Sequence, residues 1–192
     1  MEARIAPAQA PFPAEIQSWL DRTMPPGKSP LRLFTTLARD PRLLGKFFAA
    51  GLLERGHLTL RQREIVIART TALCRSEYEW GVHIAIFGAR AGFTPAQVGS
   101  LVHGSSSDAC WMPQEQTLLR LCEALHHDCT LDDALWQQLR VDFSEEAMLE
   151  LLMLAGYYRT VSYLTNALRL PLQPDAARFP ASSYIDASSI SR

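Results

Sequence analysis

Three ionisable residues carry the chemistry that this sequence can do: Glu64, Glu79 and His83. Glu79 and His83 are four positions apart, so on a helix they stack on one face, and Ile86, Phe87 and Arg90 extend the same stripe. Glu64 lands among Leu60, Ile67, Ala68 and Thr71 on an apolar face, with Gln62 and Arg69 roughly opposite. That is the wrong side for a solvating carboxylate. Burial raises a carboxyl pKa and a neighbouring charge moves that of an imidazole, which is how acid and base groups become poised near neutrality. If the two faces converge, the three side chains form a proton-transfer site. The plain alternative pairs Glu64 with an arginine and leaves Glu79 and His83 as a surface pair, because structural ion pairs are common.

The elements that must position these residues are two helices within Thr59–Ala91, broken around Arg75–Ser76. Thr59 with Gln62 forms a capping box, and Gly92 stands where a helix ends. A break this short predicts antiparallel neighbours. Further helices are predicted over Glu15–Arg22, 31–38, 41–54, from Thr94 to His103, from Pro113, from a Thr130 cap to Leu139, and from a Ser144 cap to Leu168. No segment alternates with period two, so the fold class is all-α. Residues 1–30 read as an arm and short helix, 31–171 as one helical domain, and 172–192 as a polar tail.

The strings R-x-R-E-I-V-I-A-R from Arg61 to Arg69 and C-R-S-E-Y-E-W-G-V-H from Cys74 to His83 resemble the carboxymuconolactone decarboxylase family, which includes the alkylhydroperoxidase D-like proteins. The resemblance extends from about Leu31 to Pro171. It implies a compact multi-helix fold that assembles as a homotrimer or homohexamer. Peroxidase-type members carry a glutamate, then C-x-x-C, then a histidine four residues after the second cysteine. With Glu64 and His83 set on that pattern, the cysteine positions fall on Ser76 and Glu79. Cys74 lies two residues before the first of them and has no partner at redox spacing, and dithiol chemistry needs two thiols that meet.

The resemblance therefore implies a thiol-independent enzyme acting on a small carboxylated or lactone compound, by decarboxylation or proton transfer next to a carbonyl. In that reading His83 is the general acid/base, Glu79 orients its ring and Glu64 is a second proton-transfer group. Arg75 or Arg90 would hold a substrate carboxylate, with Arg61, Arg63 and Arg69 as competitors, and Tyr78 would line the pocket. Two alternatives stay open: an alkylhydroperoxidase-like antioxidant protein using Cys74, and a non-catalytic oligomeric protein that binds a small molecule.

Composition limits the rest. The chain has 192 residues, 47% hydrophobic and 20% charged, with a formal net charge of −1. That describes one globular domain with no basic patch for nucleic acid. Cys74, Cys110, Cys122 and Cys129 form no C-x-x-C pair and match no zinc ligand spacing, so no metal is expected, and the thiols read as reduced in a cytoplasmic protein. No glycine-rich phosphate loop points to a cofactor. The proline-rich start (Pro7, Pro11, Pro13) lacks the apolar core of a signal peptide, and no uncharged apolar run of about 18 residues would span a membrane.

Overall fold

The computed structural model describes residues 3–24 and 27–181. Its elements are α1 (Ala14–Thr23), α2 (Arg32–Leu37), α3 (Pro41–Ala50), α4 (Leu60–Leu73), α5 (Glu77–His83), a π-helical segment (Ile84–Gly88), α6 (Pro95–His103), α7 (Pro113–His127), α8 (Asp133–Asp142) and α9 (Glu145–Ala167). Among the described residues there is no strand, and no helix is long and apolar enough to cross a membrane. The Pro25-Pro26 stop and the tail from 182 onward lie outside the described residues.

Helix starts follow local chemistry. Thr59 and Thr94 each accept a backbone N–H three residues on while Gln62 and Gln97 reach back, which closes two capping boxes. Asp40 caps α3 with Pro41 at the first helical position, and Ser144 caps α9. The start of α8 differs from expectation: Asp132, rather than Thr130, caps it, and the helix runs on to Asp142. The α3 helix stops at Ala50 instead of continuing to residue 54.

The centre of the molecule is α4, which packs against α5, α6, α7 and α9. From Glu64 to Thr71 every residue of α4 is buried. The sequence assigns Arg69 to a wet face; in the structure it is 5% exposed. Its guanidinium donates to the carbonyls of Leu101 and Gly104 and pairs with Glu123 at 2.6 Å, which closes the end of α6. Arg61 similarly donates to the carbonyls of Ala91 and Gly92 and pairs with Glu115. Around α4, fully buried Leu33, Ile65, Ile67, Trp80, Leu118, Leu121 and Leu151 form the main core. Each such aliphatic side chain contributes about 1.5–3 kcal/mol through removal from water. A smaller cluster of Ile16, Leu20, Ala38 and Leu44 holds α1 to α3.

Two expectations for core residues fail. Leu43 is 43% exposed, and α9 is not buried all round, since Leu149 and Met153 are 65% and 62% exposed.

The segment after α9 straps α5. Ala177 N–H donates to the Gly81 carbonyl at 3.0 Å, Phe179 N–H donates to Glu77 Oε1 at 3.0 Å, and the Phe179 ring meets Trp80 edge-on. This close passage requires glycine, because a Cβ at Gly81 would run into the Ala177 carbonyl oxygen, which is backbone and cannot swing aside. Gly81→Ala should therefore lower unfolding free energy by about 1–3 kcal/mol, although alanine is the better helix former. Chemical denaturation checks this, with the loss accompanied by faster amide exchange at Ala177 and Phe179.

Candidate active site

The turn at Cys74–Ser76 reverses the chain within three residues, with Arg75 in the left-handed backbone region at φ 54°. That reversal lays α5 beside α4 and brings Glu64 and His83 together. His83 Nδ1–H donates to Glu64 Oε2 at 2.8 Å, with His83 4% and Glu64 1% exposed. On the other side of the ring, Nε2 lies 3.5 Å from Glu79 Oε1, one helical turn back. Glu64 is itself anchored by Arg63, whose Nε is 3.4 Å from Oε1 and whose Nη1 donates to the Leu53 carbonyl at 2.7 Å. Glu79 Oε2 is buried and has no hydrogen-bond partner among the described residues.

The walls are aromatic. Tyr158 meets the His83 ring edge-on at 5.0 Å, and Phe87 lies beside it at 5.4 Å. Tyr157 packs against Tyr158 and donates its hydroxyl to the Phe47 carbonyl. Burial above all, with Glu79 and Glu64 adding to it, holds the Tyr158 phenol well above its ordinary value, so it stays neutral.

Burial by itself pulls His83 down, because it disfavours the charged ring. The hydrogen bonds and charges of Glu64 and Glu79 outweigh it and push His83 from its ordinary 6.5 up to about 9. At neutral pH the ring is an imidazolium between two carboxylates. It holds a proton to give and is not a base waiting for one.

The roles expected for the two glutamates are exchanged by the geometry. Glu64, with the short contact to Nδ1 and its own arginine, fixes the ring. Glu79, at 3.5 Å and with one free oxygen, is the group left available. A Nε2–Oε1 separation of 3.5 Å is long for a charge-assisted hydrogen bond, so the Nε2 proton is also uncommitted.

The other expected site residues lie elsewhere. Arg90 is exposed, with its guanidinium 5.6 Å from the centre of Phe87, so it touches the site only through that ring. Tyr78 points away: its hydroxyl accepts from Leu33 N–H and from Gln173, and burial raises it to about 12. Arg75 is exposed and borders, with Tyr78, a crevice of about 530 Å³ at the ends of α4 and α9 that neither Glu64 nor His83 lines. Cys74 is half-buried with its sulfur 3.9 Å from His126 Nδ1, facing α7 and not His83. Burial raises its thiol above the ordinary value, partly offset by Arg159, so it rests protonated. Sequence reasoning missed Arg63 and Tyr158. The i−1 position of Arg63 beside Glu64 was the available signal for the first, and Tyr158 had none.

A model of the carboxymuconolactone decarboxylase family matches residues 43–124, the stretch that contains Glu64, Glu79 and His83. No curated protein sequence matches the chain. The fold is that of alkylhydroperoxidase D-like proteins. An uncharacterised peroxidase-related protein from Ralstonia eutropha JMP134, described as an alkylhydroperoxidase AhpD core, superposes with a TM-score of 0.78 at 17% identity, over 90% of this chain and 93% of that one. A second uncharacterised peroxidase-related protein, from Silicibacter sp. TM1040, gives 0.79 at 15% identity, over 93% and 96%. The debrominase Bmp8, solved in complex with 2,3,4-tribromopyrrole, gives 0.67 at 15% identity, over 91% and 94%.

The raised pKa of His83 predicts a stability profile. A group that binds its proton more tightly in the folded state stabilises the fold fully below its unfolded value and loses that contribution as pH rises through its folded value. Stability should thus decline between about pH 6.5 and pH 9. Equilibrium denaturation across that window measures it, and His83→Gln, which has no proton to lose, should flatten the decline.

Proposed function

We propose that this chain, whose residues 43–124 match the carboxymuconolactone decarboxylase family, is a thiol-independent acid/base enzyme acting on a small carbonyl compound that carries a carboxylate or lactone. The observation that carries the reading is the buried row Glu64–His83–Glu79, with a proton on His83 and an unpartnered oxygen on Glu79.

In the proposed chemistry Glu79 Oε2 removes a proton from the carbon next to the carbonyl. The C–H electron pair moves into the carbonyl, and the developing oxyanion takes a hydrogen bond or the proton from His83 Nε2. For a substrate whose carboxylate sits beside that carbon, the C–C bond breaks instead. Carbon dioxide then leaves and the enolate carbon is reprotonated by His83. Glu64 keeps the imidazolium in place throughout, and Tyr158 and Phe87 keep water away from it, which strengthens each of these interactions.

The test is solvent-deuterium incorporation and carbon dioxide release over a panel of β-keto acids, unsaturated lactones and their isomers. His83→Gln should cost roughly 10²–10⁴ in rate, the usual worth of a placed proton carrier. Glu79→Gln should do the same and Glu64→Gln somewhat less. Activity should fall as pH rises through about 9, when His83 gives up its proton. Alkylating the thiols should leave the rate unchanged; an abolished rate would favour a peroxidase reading through Cys74, which the peroxidase-related neighbours motivate.

We also propose a homotrimer or homohexamer as the working form. Leu149, Met153 and Tyr163, each more than half exposed, line one face of α9 and give apolar surface for a second copy. Light scattering at micromolar concentration should report a mass of three or six chains, and a monodisperse monomer refutes the assembly.

A further inference from the structure

A cleft of about 200 Å³ lies between α4, α7 and α9, on the side of α4 that Cys74 and His126 share. Neither Glu64, Glu79 nor His83 borders it. Its walls are apolar, with Leu125, Leu152 and the bare backbone of Gly156 among them. Two polar groups at the cleft are left over by the fold. Thr70 is 7% exposed and its Oγ1 has no hydrogen-bond partner among the described residues, while the adjoining Cys122 thiol directs its weak bond to the Val66 carbonyl. A buried hydroxyl without a partner costs free energy, so such groups are uncommon unless something visits them.

The second group is Arg159. Its Nε donates to Tyr163 Oη at 2.8 Å, and its Nη1 donates to the carbonyls of Leu125 and His126 at 3.2 and 3.1 Å. Those bonds hold the guanidinium at the cleft but leave Nη2 without a partner, and no carboxylate balances the charge among the described residues. His126 adds no second charge there. Burial first, then Arg159, His127 and Arg69, hold it below its ordinary value.

We infer that this cleft is a second ligand site, separate from the acid/base row, for a small carboxylate with a compact ring or branched apolar body. The carboxylate would meet Arg159, the body would lie against Leu125, Leu152 and Gly156, and Thr70 would hydrogen-bond a polar edge. The size fits, since an apolar cavity of about 150 Å³ accommodates a benzene ring. The sign of the charge follows from the fixed, unpaired guanidinium, which suits a carboxylate.

The test uses the full chain and benzoate as probe, with benzylamine as the cationic control, in titration calorimetry at fixed ionic strength. Benzoate should bind saturably with one site per chain, and benzylamine should not. Arg159→Gln should weaken benzoate about 10–100-fold, the range for a charge-assisted contact. Thr70→Val should weaken it about 2–10-fold while leaving the thermal midpoint unchanged or higher, because an unpartnered hydroxyl is removed. That combination would not arise from a merely structural threonine. Gly156→Leu should abolish binding without unfolding, as a Cβ there meets nothing within 4 Å and the longer side chain fills the cleft. His83→Gln should bind benzoate as the parent does. No saturable binding, equal binding of benzylamine, binding that survives Gly156→Leu, or binding lost in His83→Gln would each overturn the assignment. So would a Gly156→Leu variant that changes oligomer size in a chain that takes up no benzoate, since a second copy would then be the occupant.

Discussion

The contact on which this molecule depends is the 2.8 Å hydrogen bond between His83 and Glu64, made out of reach of water. A carboxylate removed from solvent loses several kcal/mol of hydration, and an imidazolium loses a comparable amount. Neither is tolerable singly in the middle of a helical core. Together, with Arg63 behind one carboxylate and a second carboxylate one turn away, they form a chain whose charges sum to zero: two arginine and histidine cations against two glutamate anions. The core must then hold α4 and α5 at the one spacing that keeps the contact short. The burial of α4 on every side, the tight reversal after it and the strap over α5 all serve that requirement.

The same contact decides what kind of chemistry the site offers. An isolated buried histidine would be neutral and ready to accept a proton. Here the carboxylates reverse that preference, and the free oxygen of Glu79 becomes the candidate acceptor. A site in which the acid and the base are adjacent, one charged by the other, keeps both in their working forms over the same pH range.

Much of this was legible in the sequence because it is local. The caps at Thr59, Thr94 and Ser144 are decided within three residues, and i,i+4 spacing alone puts Glu79 and His83 on one face. The wheel also placed Glu64 inward correctly. It failed for Arg69 because a wheel assumes one wet face, and α4 has none; the cost of burying that guanidinium is met by carbonyls contributed from distant α6. Leu149 and Met153 mislead in the opposite direction, since hydrophobicity says nothing about whether a partner is present. The strap was illegible for a related reason: its contacts at Gly81 and Glu77 join residues about a hundred positions apart. Arg75 and Tyr78 sit beside catalytic candidates in sequence, but adjacent helical residues point about 100° apart, which sent them to a different crevice.

Directly after His83 the chain abandons α-geometry for the five residues Ile84–Gly88. A π-turn takes in one residue more than an α-turn over the same length of axis, so it marks the place where the helix has absorbed an insertion. Everything beyond it is rotated by about 100° relative to a helix without the extra residue. Phe87 reaches the His83 ring, and Arg90 reaches Phe87, only in this shifted phase. A single-codon deletion between Ile84 and Gly88 would restore an ordinary helix, leave Glu64, Glu79 and His83 untouched, and swing the aromatic lid to another side. Relatives that lack the bulge would thus share the acid/base row while presenting it to differently shaped molecules, with frame length rather than residue identity setting what the site admits.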